Sequence, residues 1–332
     1  MKVIYKALAI LLLIASCTNA YSQDNTGVTD LIKQGIELNN QKKYTEAADK
    51  YKAALATEPD NTQANYQMAF TLFSAGKNTE ALPYIDKATK GSNAKFTAAA
   101  YSLMGSINQS LNKLPDAVSA YQNAIKADSA NQRIYYNLGI AYFKNKQYDK
   151  AQGTFEQAIK LDDSDAGSAR MYALSAFHQN KRADAILGFS KFLLLEPNSN
   201  RSAEAFGNLQ NILQGGQLKP EAGYKPSAAI LADAVKQNTA IKKALAPFAL
   251  RRYASTGDLL AAQLGAIFSA VADDRILNSY FGKLSTTDNM PAFARYISQS
   301  AKPESAKWLV ANPDKLKVLE DWISANKPSS IP

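Results

Sequence analysis

The sequence predicts an all-α protein, a solenoid of five helix pairs with an end helix, followed by a small helical domain. Three observations lead there. A small residue recurs at Gly35, Ala69, Gly105, Gly139 and Ala173, and Ala47, Ala81, Ala117, Ala151 and Ala185 repeat the same intervals of 34, 36, 34 and 34 residues. A bulky side chain follows four positions after each of those alanines (Tyr51, Ile85, Tyr121, Phe155, Phe189), with Ala54, Ala88, Ala124, Ala158 and Phe192 three further on. Independent series that share one period, including its two-residue stretch around Phe96-Thr97, mark stacked copies of one supersecondary unit. Past residue 215 the period stops, yet Ile230, Leu231, Ala234, Val235, Ile241 and Leu245 still fit one helical face, and no strand alternation is seen.

Residues 1–22 read as an export signal ahead of the fold. Lys2 and Lys6 give a positive start, and the apolar stretch Ala7 to Ala15 is of signal-peptide length. It is too short to span a bilayer, which takes about 20 helical residues. Two cleavage sites are open. Ile14-Ala15-Ser16-Cys17 resembles the bacterial lipobox, which would make Cys17 the lipidated first residue of the mature protein. Ala20-Tyr21-Ser22 instead places small residues for cleavage before Gln23. The Gln-Asp-Asn start resembles exported proteins of Bacteroidetes-type bacteria, so a periplasmic or outer-membrane-associated location is expected.

Five repeat units fall at 28–61, 62–95, 98–131, 132–165 and 166–199, with an end helix over 202–214. Small residues in the Gly and Ala slots let the two helices of a unit approach closely, and the bulky slot fills the space they leave. Ala75-Gly76-Lys77 and Leu111-Asn112-Lys113 contain residues that tolerate the left-handed turn between helices. Glu46, Glu80, Asp116 and Asp184 fall in the first turn of each second helix, where the dipole favours an acid; Lys150 breaks that series. Pro59 and Pro197 close the first and last units. The pattern resembles the tetratricopeptide repeat, a helix-turn-helix unit of 34 residues, over a little more than half the chain. The resemblance implies a right-handed superhelix with a concave binding face.

The segment 215–226 is rich in Gly, Pro and Lys and is the expected linker. Residues 227–330 read as a small all-α domain placed to dock on the solenoid end. Pro247, Pro291, Pro303 and Pro313 suit first helical positions, Asn312 suits a cap before Pro313, and Asp258 suits a cap for Leu259 to Val271.

Composition excludes much chemistry. The chain has one His and one Cys, so no intrachain disulfide can form and His178 and Cys17 have no partner of their own kind for a zinc site. Nucleophilic catalysis through a His base would run through His178 alone, and that residue is placed as a helix-end cation. Asp162-Asp163 and Asp273-Asp274 fall at loops or helix starts, not where paired carboxylates could flank a bond. There is no Gly-rich phosphate loop and no nucleophile elbow, and no cofactor or metal is expected. Formal net charge is +9, with Lys236, Lys242, Lys243, Arg251 and Arg252 the densest basic run. That run reads as a solvated helix face, with contact to anionic lipid or envelope polymer the milder alternative; no nucleic acid partner is expected.

The expected function is therefore non-catalytic: a protein- or peptide-binding scaffold of the cell envelope, with a carbohydrate-binding protein on the same scaffold as the alternative. Membrane contact would come only through a lipid anchor on Cys17. The face beside the inward slots of each first helix is spaced i, i+4, i+7. It contains Ile32, Ile36 and Asn39, then Tyr66, Phe70 and Phe73, then Ser102, Ser106 and Gln109, then Tyr136, Ile140 and Phe143, then Arg170, Leu174 and Phe177, with Arg133 and Lys144 nearby. Relatives of the resembled family that grip a C-terminal carboxylate use Lys and Asn in these slots, where this chain has Ile36, Tyr66 and Phe70. The candidate groove residues are Tyr66, Phe70, Phe73, Arg133, Tyr136, Ile140, Phe143, Arg170 and Phe177, suited to a peptide with apolar anchors and some acidic character.

Overall fold

The computed structural model describes residues 27–91, 93–216, 223–249 and 251–327. The signal segment, with Cys17 and both cleavage sites, lies outside the described residues, as does 217–222 of the expected linker. Among the described residues there are seventeen α-helices, one 3-10 turn and no strand. They form two compact units that divide between Ser129 and Ala130.

The first unit holds three helix pairs: α1 (27–40) with α2 (Tyr44–Thr57), α3 (Thr62–Ser74) with α4 (Asn78–Ala88), and α5 (Ala94–Ser110) with α6 (Leu114–Ala127). The second holds α7 (Gln132–Lys144) with α8 (Tyr148–Leu161), α9 (Ala166–His178) with α10 (Arg182–Leu195), and the end helix α11 (Asn200–Leu213). It continues with α12 (Ala228–Leu245), a 3-10 turn at Ala246–Phe248, α13 (Thr256–Ala270), α14 (Ile276–Ser285), α15 (Met290–Ser298), α16 (Pro303–Ala311) and α17 (Pro313–Ala325).

The periodic slots are the core. The alanines at 47, 81, 117, 151 and 185, and the bulky Tyr51, Ile85, Tyr121, Phe155 and Phe189, are all at most 1% exposed. The glycine slots are tied to the bulky ones by size. A Cβ added at Gly35, Gly105 or Gly139 would lie 2.4 to 2.6 Å from the ring of Tyr51, Tyr121 or Phe155, far inside van der Waals contact. Where the small slot is Ala69, the bulky slot is Ile85, with no ring to clear. In the fifth unit Ala173 coexists with Phe189 because the space is found next door: a Cβ at Gly188 would meet the Ala173 Cβ at 2.8 Å. The helix-helix distance in each pair is thus fixed by a small-large couple in its own sequence.

The turn inside each pair has one residue in the left-handed region: Lys42 (φ 62°), Gly76 (76°), Asn112 (56°), Lys146 (56°) and Asn180 (58°), in step with the repeat. After each, the next N–H reaches back to a carbonyl five residues earlier, as in Lys43 to Leu38 (2.9 Å), Lys77 to Leu72 (2.8 Å) and Gln147 to Tyr142 (2.9 Å). This closure satisfies carbonyls that the ending helix leaves free. The second helices then start without a side-chain cap but with an acid in the first turn; in α8 this is Asp149, one residue ahead of the Lys150 that breaks the series. Three first helices, α3, α5 and α9, are capped by side chains instead: Asn61 accepts from the Ala64 N–H at 2.9 Å, Asn93 from Phe96 at 3.1 Å and Asp165 from Ser168 at 2.8 Å.

In the second unit the last full pair is sheathed by the helices after the linker. Every residue of α10 from Arg182 to Leu194 is buried, with α12, α14 and α15 packed on it. Asp184, 1% exposed, is the hub of this contact. Its carboxylate accepts from Gln152 (2.8 Å), Gln237 (2.9 Å) and Arg275 (3.0 Å), and its backbone N–H donates to Gln237 (3.1 Å). The acid expected only to face a helix dipole therefore ties α8, α10, α12 and the start of α14 together. Beyond it, Phe268, Phe281 and Phe293 meet at centroid distances of 4.7 to 5.9 Å and form the core of α13 to α15.

Three local expectations need correction. Pro247 lies in the first turn of a three-residue 3-10 helix that runs on from α12, and opens no α-helix. Ser255 caps α13, accepting from the Asp258 N–H at 3.1 Å, while Asp258 sits inside the first turn. Asn312 makes no side-chain cap to α17; its amide donates back to the Trp308 carbonyl (2.9 Å) and closes α16.

Candidate functional site

In the first unit, α3 presents Tyr66, Phe70 and Phe73. The small slot at Ala69 and the buried Met68 and Leu72 hold the opposite side of this helix in the core, which turns the three aromatics outward. Phe70 is 38% exposed, and Tyr66 and Phe73 are half-buried. The Tyr66 ring stands 5.5 Å from Phe96 at 58°, and the two flank a shallow groove with Thr62, Gln67 and Asn93. Burial raises the Tyr66 hydroxyl above its ordinary pKa, so it enters any contact as a neutral donor. The stripes on either side are spent in packing. Ile32 is 3% exposed, Asn39 accepts the Thr71 hydroxyl at 2.8 Å, and Ser106 shares a 3.0 Å hydrogen bond with Tyr121.

In the second unit, α7 presents Tyr136, Ile140 and Phe143, all half-buried, with Arg133 exposed beside them. Tyr136 meets Phe155 edge-on at 5.8 Å, so its ring rests on the same aromatic that fills the glycine slot. Burial, then the nearby Asp165 carboxylate, raises its hydroxyl pKa. Phe143 stands edge-on to Tyr148 (5.1 Å) and His178 (5.3 Å), His178 stacks on Tyr148 at 4.4 Å and 10°, and Tyr224 meets Tyr148 edge-on at 4.9 Å. Sequence reasoning missed this four-ring group, because Tyr148 and Tyr224 belong to no concave slot. His178 does lie in the last turn of α9, as expected.

Two candidates on α9 stand differently from expectation. Phe177 is 2% exposed and packs edge-on to Phe189 at 6.3 Å; it is core and offers no surface to a ligand. Arg170 is held by Glu204 of α11 at 3.1 Å with its side chain 21% exposed, so its charge is already met. Of the candidate groove residues, the accessible aromatics are thus those of α3 and α7. Among the described residues no group of His, Cys, Asp and Glu could hold a metal ion, and no helix is long and apolar enough to cross a membrane.

Comparison with known proteins bears on the repeats. Family models described as tetratricopeptide repeat match residues 38–107 and 133–165, and one described as TPR repeat matches 105–146. Tetratricopeptide repeat protein 6 of Homo sapiens is 30% identical over 131 residues, which are 40% of this chain and 25% of that protein. This chain spans about a quarter of the length of the curated relatives it matches. PilF of Pseudomonas aeruginosa has a similar fold, with a TM-score of 0.50 at 16% identity over 69% of this chain and 96% of that one. YrrB, described as a TPR protein with an unusual peptide-binding site, gives 0.49 at 16% identity over 58% of this chain and 97% of that one.

Proposed function

We propose that this chain, whose residues 38–165 are tetratricopeptide repeats, is a non-catalytic scaffold of the cell envelope that binds a peptide segment of another protein. Its contacts would be the aromatic faces of α3 and α7. The observation that supports this most is the exposure of Phe70 between the half-buried Tyr66 and Phe73. Large rings with few rotamers, held at their base by the core, gain contact area at low entropic cost, and such residues dominate binding energy in interfaces. Tyr136, Ile140 and Phe143 repeat the arrangement on α7, with exposed Arg133 adding a cation. The expected ligand is an apolar-anchored peptide with some acidic character. The signal segment supports export, either lipidated at Cys17 or cleaved before Gln23.

The test is recovery of the tagged mature protein from its native envelope and identification of what accompanies it. That partner is then titrated against Tyr66→Ala/Phe70→Ala and Tyr136→Ala/Phe143→Ala. Each double variant is expected to lose ~2 kcal/mol or more in affinity. Unchanged affinity with unchanged stability would place recognition elsewhere. Intact mass of the same sample decides between Cys17 and Gln23 as the mature start.

A further inference from the structure

The end helix of the repeats and the helices after the linker do not close flush, and a cavity of about 240 Å3 stays between them within the second unit. Two helical stripes wall it. Phe206, Gln210 and Leu213 lie at i, i+4 and i+7 on α11, with Gln214 next to them, and Leu259 and Gln263 lie at i and i+4 on α13 beside Leu260. Gly257 lines the cavity without a side chain; a Cβ there would meet the guanidinium carbon of Arg295 at 3.1 Å. The turn between α15 and α16 closes a third side with Lys302, whose backbone N–H is fixed to the Ser298 carbonyl at 2.9 Å.

The chemistry of this lining is lopsided. Phe206 and Leu260 are buried, and Leu213 and Leu259 are half-buried. Ser298 and Ser305 hydrogen-bond each other at 2.8 Å. Unspent capacity lies with the side-chain amides of Gln210, Gln214 and Gln263 and with the Lys302 ammonium, none of which has a hydrogen-bond or ion-pair partner among the described residues. All four side chains belong to half-buried or exposed residues, so a solute can reach them. Lys302 is the one charged residue of the lining. Two acids stand close by in sequence but do not line the cavity: Glu304 accepts the Thr256 hydroxyl at 3.3 Å, and Asp258 is taken by Arg295 at 2.6 Å.

One cation, no acid, free amides and an apolar lining select a monoanion with an apolar body. An amine would be repelled by Lys302, and inorganic phosphate would leave the apolar surface uncovered. A carboxylate accepts from an ammonium and from amide N–H groups together, and such charge-assisted bonds are the stronger kind. Size narrows the class: an apolar cavity of roughly 150 Å3 takes up benzene, and 240 Å3 admits a ring or short alkyl chain with its acid arm. We propose that the cavity between α11 and α13 binds a small aryl- or alkyl-carboxylate. Its apolar body lies against Phe206 and Leu260 and its carboxylate toward Lys302.

The test is isothermal titration calorimetry of the full chain with phenylbutyrate and octanoate, against phenylbutanol and phenylbutylamine. The acids are expected to bind, and the alcohol and amine to bind about tenfold more weakly or worse, as loss of a charge-assisted bond implies. Lys302→Gln should weaken the acids about tenfold and leave the alcohol unchanged, and acid binding to the parent chain should weaken as salt rises. Leu259→Phe puts a ring into the cavity from a half-buried position and should abolish binding of every compound, with helical circular dichroism and cooperative thermal unfolding retained. The Phe70→Ala/Phe143→Ala variant should bind the acids undiminished, so this site and the first-helix faces stand or fall separately. An alcohol bound as tightly as the acids, or acid binding indifferent to both Lys302→Gln and Leu259→Phe, overturns the proposal. So does the absence of both heat and a rise in thermal midpoint with either acid at millimolar concentration, which leaves the cavity a packing gap at the seam.

Discussion

The small-large couple inside each helix pair makes Gly139 and Phe155 the most direct place to perturb the fold. A methyl added at Gly139 would stand 2.6, 2.7 and 2.9 Å from three atoms of the Phe155 ring. Comfortable carbon-carbon contact is about 3.5–4.0 Å, so the ring must retreat by roughly 1 Å inside a closed core. Overpacking of this kind costs ~1–3 kcal/mol, offset by ~0.5–1 kcal/mol from removing an interior helical glycine. Gly139→Ala is therefore expected to destabilise by ~0.5–2 kcal/mol. Phe155→Ile alone leaves a cavity and is expected to cost ~1–3 kcal/mol. The double variant recreates the Ala69 and Ile85 couple of the second repeat, and the added methyl enters space the ring has left. Its cost should fall below the sum of the single costs by ~1–2 kcal/mol. Urea unfolding followed by far-ultraviolet circular dichroism measures all four corners of the cycle. Additivity to within ~0.5 kcal/mol, or a stabilising Gly139→Ala, would refute the coupling.

Further outcomes are expected at the turns, the buried hub and the caps. Lys42 and Lys146 hold positive φ where a Cβ is penalised, so Lys42→Gly and Lys146→Gly are each expected to stabilise by ~0.5–1 kcal/mol in urea unfolding. Asp184 and Asp116 share one repeat slot but differ in burial: Asp184→Leu strands Gln152, Gln237 and Arg275 and should cost ~3–5 kcal/mol, whereas Asp116→Leu should cost less than ~1 kcal/mol. Asp258 is held below the usual carboxylate range, first by its hydrogen bond to Arg295 and then by Ser255. A depressed folded pKa means stability present above the unfolded value, about 4, and lost as pH falls through the lower folded one. Asp258→Asn should lower the thermal midpoint at neutral pH, where the ionised carboxylate contributes, and flatten its drop below about pH 4.

Helix pairs, buried slots and most first-turn acids were legible because each repeats at one spacing, so Gly139 and Ala151 could be placed without knowing any contact. The turns were half legible. Gly76 and Asn112 announce a left-handed residue, while Lys42 and Lys146 adopt the same conformation through the period alone, against their own preference. Long-range pairings left no mark: Gln237 and Arg275 lie 53 and 91 residues from Asp184, and no spacing rule connects them. The candidate faces show the same divide. Slot spacing placed Tyr66, Phe70 and Tyr136 at accessible or half-buried positions, but it treats all five units alike. It could not register that Phe177 packs under Phe189 or that Glu204 of α11 takes the charge of Arg170.

The central claim is that the first-helix aromatics contact the partner, and site-specific photocrosslinking tests it in place. A benzophenone side chain is introduced by Phe70→benzoylphenylalanine, and separately by Val310→benzoylphenylalanine as a control that is 84% exposed and outside every repeat. Irradiation in the native envelope is expected to give a discrete adduct at position 70 and none at 310. That adduct should be lost when Tyr66→Ala is added. An adduct at 310 with none at 70, on protein that is folded and correctly exported, would contradict the assignment of α3 as a binding face.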